Sequence, residues 1–161
     1  MRFFKNLWAH LPLFLLWGVI SAMLWGWIFT FVTDTAPENK VTVYCRVPAL
    51  EDTKLAARLE ETMPEGLRMI KVHSFDYVMF GEVTGGDVYI IPASEIGPFA
   101  GDLAAVDGVF GVKVYDAASG AGAALPYIRY GGEDYYLFLG AGSVHLEDGK
   151  ALEVAKQLTE L

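Results

Sequence analysis

An uninterrupted apolar segment near the N-terminus constrains this chain more than any other feature of its sequence. Residues Leu11 to Val32 include 17 apolar side chains out of 22 and no charged one. As a helix they extend over about 33 Å, which matches a hydrocarbon core of about 30 Å. A signal peptide has a shorter apolar region that ends at a small-residue cleavage site, and no A-x-A pattern follows Val32. The segment therefore predicts an uncleaved transmembrane signal-anchor helix over 11–32, with a cleaved signal peptide as the alternative.

The charges on either side of this segment predict its orientation. Arg2 and Lys5 precede it, whereas Asp34 and Glu38 follow it. Positively charged flanks are retained on the cytoplasmic side of a membrane. We therefore expect a single-pass protein of the cell membrane, with its N-terminus in the cytoplasm and its C-terminal domain outside.

Four parts of the chain follow from this placement. They are a cytoplasmic N-terminus (1–10), the transmembrane helix (11–32), a tether (33–40) and one extracytoplasmic domain (41–161).

The 161 residues carry a net charge of −8 from 12 basic and 20 acidic side chains. We expect no nucleic-acid partner, since phosphate contacts need clustered Lys and Arg. The single cysteine also excludes an internal disulfide framework.

The first half of the domain alternates strands with helices. The pattern predicts strands over 41–47, 67–73 and 87–91, and helices over 51–63 and 76–80. The long connections between the strands favour parallel pairing with helical crossovers. The unbroken apolar run at 87–91 is typical of a strand covered on both faces.

The second half of the domain shows weaker signals. We expect a strand over 109–115, a hairpin of 125–130 with 135–139 around a glycine-rich turn, and a helix over 150–161. The whole pattern predicts one three-layer α/β lobe, with a mostly parallel sheet and a C-terminal helix.

Several stretches of the domain together resemble segments of one protein family. They are Val41–Val47, Asp87–Ile96, Asp102–Asp107, Tyr135–Leu139 and Ser143–Leu146. These stretches are similar to strands and turns of the extracellular solute-binding proteins of ABC importers, the type 2 periplasmic-binding-protein-like family. Members of that family have two α/β lobes that close around a solute, whereas this domain has the size of one truncated lobe. The resemblance implies a solute-binding-like domain that acts beside a membrane transporter or beside a second chain that supplies the missing lobe.

The resemblance also implies where a solute would bind. Ligands of open α/β sheets approach the carboxyl ends of the strands. The candidate ligand-binding residues at these ends are Ser74, Asp76, Tyr77, Ser94 and Glu95. In the alternative interpretation Ser94 caps a helical turn and Tyr77 packs on its neighbours.

Catalytic and metal-binding motifs are missing from the sequence. Neither G-x-S-x-G, nor H-E-x-x-H, nor a phosphate-binding G-x-x-x-x-G-K-[ST] occurs. His73 and His145 would have to converge with a carboxylate to hold a metal, and Cys45 lies on the apolar face of the first predicted strand. We expect no enzyme activity, no catalytic residue, no metal and no cofactor.

Two hypotheses for the function follow. In the first, the domain is a non-catalytic binding accessory of a membrane transporter or complex, anchored in the lipid bilayer through residues 11–32. In the second, it is a non-enzymatic interaction or scaffold subunit of a membrane complex and binds no small molecule. A polar pocket near the candidate residues favours the first hypothesis, and a flat surface beside an exposed apolar patch favours the second.

Overall fold

The structure is a computed structural model of the chain. It describes residues 2–33, 35–74, 85–122 and 127–160. The chain divides into two compact units, Met1–Thr35 and Ala36–Leu161. The first unit contains the apolar segment, and the second contains the α/β domain.

The first unit is a single helix, α1 (Arg2–Thr33). It contains the predicted span 11–32 and extends from there toward the N-terminus as far as Arg2. Residues His10–Phe29 have a mean hydropathy of 1.8, and their side chains are exposed. The prediction of an apolar N-terminal helix is confirmed. By length and composition this helix could be a membrane span or a signal sequence.

The second unit begins with the parallel part of a sheet. Strand β1 (Lys40–Cys45) lies between β3 (Met69–Ser74) and β4 (Val88–Pro92) and runs parallel to both. Helix α2 (Asp52–Glu60) makes the crossover from β1 to β3. The predicted order of strands and their parallel pairing are confirmed for these three strands. The short helix predicted over 76–80 lies outside the described residues.

The other part of the sheet is antiparallel. Strand β8 (Tyr135–Gly140) pairs with β4 on one side, and with β5 (Leu103–Ala104) and β6 (Val112–Tyr115) on the other. Within the described residues the sheet is therefore a mixed sheet of six strands, and the expected parallel arrangement holds only for β3, β1 and β4. A parallel neighbour of β4 would need a long crossover. The chain after β4 forms short helical turns, including α3 (Ile96–Phe99), and short strands instead.

The hairpin predicted around residues 131–134 does not form. Strand β7 (Ile128–Arg129) pairs with β2 (Ala49–Leu50) and not with β8. The Glu51 amide extends this contact by donating to the carbonyl oxygen of Tyr127 at 2.9 Å. Both edges of β8 are already paired, one with β4 and the other with β5 and β6. Strand β7 therefore pairs with β2, which follows β1 in the chain.

Both faces of the sheet are covered, as the apolar run of β4 predicts. On one face, Val88 and Ile90 of β4 belong to a large buried cluster shared with α2 and with α4 (Lys150–Glu160). On the other face, Tyr89 and Ile91 pack with Leu103 and Phe138, beneath the helical turns at 93–102. The domain is therefore an α/β domain whose C-terminal helix packs on the sheet, as predicted.

Candidate functional site

A cleft of about 320 Å³ opens where β1 and β4 end. We call it the Arg46 cleft, and its lining consists of Arg46, Val47, Pro48, Pro92, Glu95, Glu133 and Tyr135. Two adjacent parallel strands supply two of its sides, and the start of β8 supplies the third. This is the edge of an α/β sheet at which ligand sites are usually found.

An ion pair joins the two parallel strands across the cleft. The Nε atom of Arg46 lies 3.0 Å from Oε2 and 3.2 Å from Oε1 of Glu95. The Arg46 amide donates to the carbonyl oxygen of Ile90 at 2.8 Å, which holds the residue alongside β4 beyond the end of β1. The side chains of Arg46 and Glu95 are 37% and 35% exposed, so both remain accessible from the cleft.

The Tyr135 ring forms the aromatic wall of the cleft, and two other tyrosine rings pack against it. The buried ring of Tyr135 has its centroid 5.0 Å from that of Tyr130 and 6.1 Å from that of Tyr115. Tyr115 and Tyr130 are themselves stacked at 4.6 Å. The Tyr135 hydroxyl accepts a hydrogen bond from the Gly131 amide at 3.2 Å, and burial raises its pKa. The wall is therefore a fixed apolar surface rather than a source of acid or base.

Two further groups behind the wall, Tyr130 and Cys45, have raised pKa values and stay protonated at neutral pH. Burial raises the pKa of Tyr130, whose hydroxyl is buried and has no hydrogen-bond partner among the described residues. Cys45, the last residue of β1, is fully buried, and burial raises the pKa of its thiol to about 12. A neutral thiol is a poor nucleophile, because the thiolate is the reactive form. Cys45 is therefore a core residue, as its position on the apolar face predicts.

The two acidic residues just before β8 accept hydrogen bonds at the rim of the cleft. Oε2 of Glu133 accepts the Ser94 amide at 3.2 Å. Next to it, the carboxylate of Asp134 pairs with Lys113 Nζ at 2.6 Å and accepts the Ala117 amide at 2.9 Å. The hydrogen bond from Lys113, followed by that from the Ala117 amide, lowers the pKa of Asp134. Glu133 is thereby held at the mouth of the cleft as a second carboxylate.

Only some of the predicted site residues lie at the Arg46 cleft. Glu95 lines the Arg46 cleft, and Ser94 contributes its backbone amide to the rim. No side-chain hydrogen bond caps the 3-10 turn Ala93–Glu95, so Ser94 does not have the capping role of the alternative interpretation. Ser74 ends β3, level with Cys45, and is not part of the cleft lining. Asp76 and Tyr77 lie outside the described residues.

Of the lining residues only Glu95 is among the predicted site residues, and the charged and aromatic side chains that the sequence did not reveal are Arg46, Glu133 and Tyr135. Arg46 was part of the first predicted strand, although its place just after the buried alternation could have identified it. Glu133 and Tyr135 were part of the predicted hairpin. They reach the cleft because Tyr135 pairs with Pro92 in the antiparallel register, and no local pattern reveals that pairing.

The two histidines of the domain lie apart. His73 pairs in register with Tyr44, and His145 contacts the carbonyl oxygen of Lys40 at the other end of β1. Four residues of a strand span about 13 Å. In the described parts of the chain, no group of three or more His, Cys, Asp and Glu side chains is arranged to hold a metal ion.

Comparison of the chain with protein-family models, curated proteins and solved structures found no match. The function must therefore be inferred from the apolar helix and from the Arg46 cleft.

Proposed function

We propose that this chain is a membrane-anchored, extracytoplasmic binding protein that takes a small solute into the Arg46 cleft. It acts as a non-catalytic accessory of a membrane transporter or complex. The observation that carries the proposal is a concave site at the carboxyl ends of two adjacent parallel strands, with charged groups opposite an aromatic wall. Its volume falls within the range of about 300–1,000 Å³ for small-molecule sites.

The charges of the cleft favour a solute with a positively charged group. The lining carries two carboxylates, Glu95 and Glu133, against one guanidinium, Arg46. Arg46 is already paired with Glu95, so Glu133 contributes the net negative charge. Pro48, Pro92 and the Tyr135 ring provide an apolar surface for the uncharged part of such a solute.

A single lobe binds a solute weakly. Tight small-molecule sites bury 70–90% of the ligand surface, and a cleft on one lobe leaves one side of the ligand in water. A second wall from the transporter or from another chain would complete the site. This need for a partner agrees with the resemblance of the domain to one lobe of the solute-binding proteins.

The apolar helix supports the placement at a membrane. The span in α1 has the length of a bilayer core, and Arg2 and Lys5 precede it as a cytoplasmic flank. The rest of the chain carries 10 basic and 20 acidic side chains, a net charge of −10. An acidic domain is repelled by anionic lipid headgroups, which leaves its surface available to solutes and protein partners.

A thermal-shift screen of the full chain in detergent tests the proposal. Cys45 is the only cysteine and is buried, so a thiol-reactive dye reports unfolding of the domain. The panel contains amino acids, sugars, peptides and polyamines. A positively charged solute should raise the unfolding midpoint, because ligands stabilise the state they bind.

Two variants make this screen specific to the cleft. Glu133→Gln should reduce the shift, and Glu65→Gln, which removes an exposed carboxylate that is not part of the cleft lining, should leave it unchanged. The proposal is wrong if no solute class raises the midpoint, or if Glu133→Gln responds like the wild type.

One observation favours an interaction subunit as a second candidate. Val109 and Phe110 are each 55% exposed beside a tight turn, in which Asp107 and Gly108 both have positive φ angles. Exposed apolar residues of this kind are found at protein interfaces. If the chain is an interaction subunit, we expect no solute of the panel to change its unfolding midpoint. We then expect Phe110→Ser to release the chain from a larger complex, as detected by native gel electrophoresis of the membranes in which the chain is produced.

A further inference from the structure

His145 is buried in the turn that precedes α4, with oxygen atoms facing both of its ring nitrogens. Its Nε2 lies 3.0 Å from the carbonyl oxygen of Pro37 and 3.1 Å from that of Lys40. Its Nδ1 lies 3.0 Å from Oδ2 of Asp148. A carbonyl oxygen and an ionised carboxylate can only accept hydrogen bonds, so each ring nitrogen must donate one. Only the protonated imidazolium carries both protons.

A second carboxylate, that of Asp87, is linked to the backbone of His145 through the Ser143 hydroxyl. The His145 amide donates to Oγ of Ser143 at 3.0 Å, and that hydroxyl donates to Oδ1 of Asp87 at 2.5 Å. The other oxygen of the buried Asp87, Oδ2, accepts the Thr42 amide at 2.7 Å. The segment around His145 is thereby fixed to the amino ends of β1 and β4, with negative charge on two sides of the ring.

Two lysines lie on the segments around the ring. Lys150 at the start of α4 pairs with Asp148, at 3.0 Å between Nζ and Oδ2. Lys40, whose carbonyl oxygen faces Nε2, also lines a neighbouring cavity. The other charged side chains on the two joined segments are the exposed Glu38 and Glu147. The charges around the ring therefore favour a cation.

The pKa shifts agree with this geometry. Burial by itself lowers the pKa of His145, but the hydrogen bonds to Asp148 and to the Pro37 carbonyl outweigh it and raise the pKa above its usual value. Burial raises the pKa of Asp148, but the hydrogen bonds from His145 and from Lys150 bring it down to about 2.

We propose that His145 is a pH-sensitive latch, which when protonated fastens the residues 37–40 at the start of the domain to the turn 143–148 before α4. When the ring loses a proton, it keeps Nδ1–H toward the Asp148 carboxylate, because a hydrogen bond to an ionised acceptor is the stronger one. Nε2 then presents a lone pair to the carbonyl oxygens of Pro37 and Lys40, and those hydrogen bonds are lost. The segment 37–40 is then held less firmly. This segment connects the domain to the residues that lead from α1, so a rise in pH loosens the attachment end of the domain.

The pH range of the latch follows from the two shifts. A histidine with a raised pKa contributes its full stabilisation below its ordinary pKa of about 6.5 and loses it as the pH rises through the raised value. An aspartate with a lowered pKa contributes above its ordinary value of about 3.9 and loses its contribution as the pH falls through about 2. The latch is therefore fully closed between about pH 4 and 6.5 and opens at higher pH.

Histidine NMR on the full chain in lipid nanodiscs tests the charge state. The ring nitrogens of His145 are assigned by their absence from His145→Gln. We expect both to be protonated at pH 6, with a titration midpoint above that of a free histidine, and Asp148→Asn should lower this midpoint. A neutral ring at pH 6, or a midpoint that Asp148→Asn does not change, would overturn the proposal.

Amide hydrogen exchange tests the opening. After correction for the intrinsic pH dependence, exchange in the segment 37–43 should be faster at pH 8 than at pH 6, by up to about tenfold for each pKa unit of upward shift. Exchange in β8 serves as the internal control and should not change. The pH effect should be lost in Asp148→Asn, and also in His145→Gln where that variant folds. An equal pH effect in the wild type and in Asp148→Asn would contradict the latch.

Discussion

The Arg46 side chain contacts the carboxylate of Glu95 across the ends of two parallel strands, with Nε 3.0 Å from Oε2. β1 and β4 are hydrogen-bonded neighbours, so the first residues beyond them meet at one edge of the sheet. This contact places a cation and an anion side by side at the mouth of a cleft.

Loss of the Glu95 carboxylate should affect binding more than stability. The side chains of Arg46 and Glu95 are both more than a third exposed, and an ion pair of this kind contributes at most about 1 kcal/mol. We expect Glu95→Gln to lower the free energy of unfolding by less than about 1 kcal/mol. It should nevertheless reduce the thermal shift given by a positively charged solute. Urea unfolding, followed by tyrosine circular dichroism, measures the first quantity. A large loss of stability would show that the pair is structural.

The Asp87 carboxylate should matter more for stability, because it is buried and both of its oxygens are hydrogen-bonded. In Asp87→Asn, the amide group would face either the Thr42 amide or the Ser143 hydroxyl. Loss of a buried partner costs about 1–3 kcal/mol. Asp107→Asn is the matched control, since Asp107 is exposed and has a positive φ angle that Asn tolerates. Equal urea midpoints for the two variants would refute the role of Asp87.

Gly140 should not accept a side chain. A Cβ at this position would overlap the carbonyl oxygen of Gly86, where the end of β8 passes the loop before β4. Overpacking of this kind costs about 1–3 kcal/mol. We expect Gly140→Ala to be destabilised by that amount, whereas Gly132→Ala should be nearly neutral because a Cβ there meets no atom within 4 Å. If Gly140→Ala is as stable as Gly132→Ala, the two segments are not as close as described.

The Cys45 thiol should be protected in the folded chain. It is fully buried, and burial raises its pKa to about 12. A maleimide should therefore label the native protein far more slowly than the urea-unfolded protein, which should take up one label per chain. Rapid labelling of the native protein would show that the end of β1 is open. Cys45→Ala is the matched control for any label that reacts elsewhere.

The sequence alone was sufficient where a structural feature depends on local pattern. The alternation of Val41, Val43 and Cys45 predicts β1 and its buried face, and the apolar run at 87–91 predicts a strand covered on both faces. The long connections between strands predict parallel pairing, which β1 makes with β3 and with β4. These features follow from side-chain periodicity and from the length of the crossovers.

The sequence was not sufficient where partners are distant in the chain. Gly131 and Gly132 are typical of a hairpin turn, yet β7 pairs with β2, because β4, β5 and β6 occupy the edges of β8. The same distant pairing brings Tyr135 to Pro92 and completes the Arg46 cleft. Glu95 is predictable because it lies in the short turn that follows β4. Glu133 is not, because its place in the cleft depends on a strand register that the local sequence does not encode.

Amide chemical-shift mapping of the full chain in lipid nanodiscs tests solute binding at the Arg46 cleft most directly. Each solute class is titrated separately, and the perturbed amides are located in the sequence. We expect a positively charged solute to shift the amides of 46–48, 93–95 and 133–135, in a saturable manner that Glu133→Gln weakens. Saturable shifts confined to other segments, or no shifts with any solute class, would contradict a binding function for this cleft.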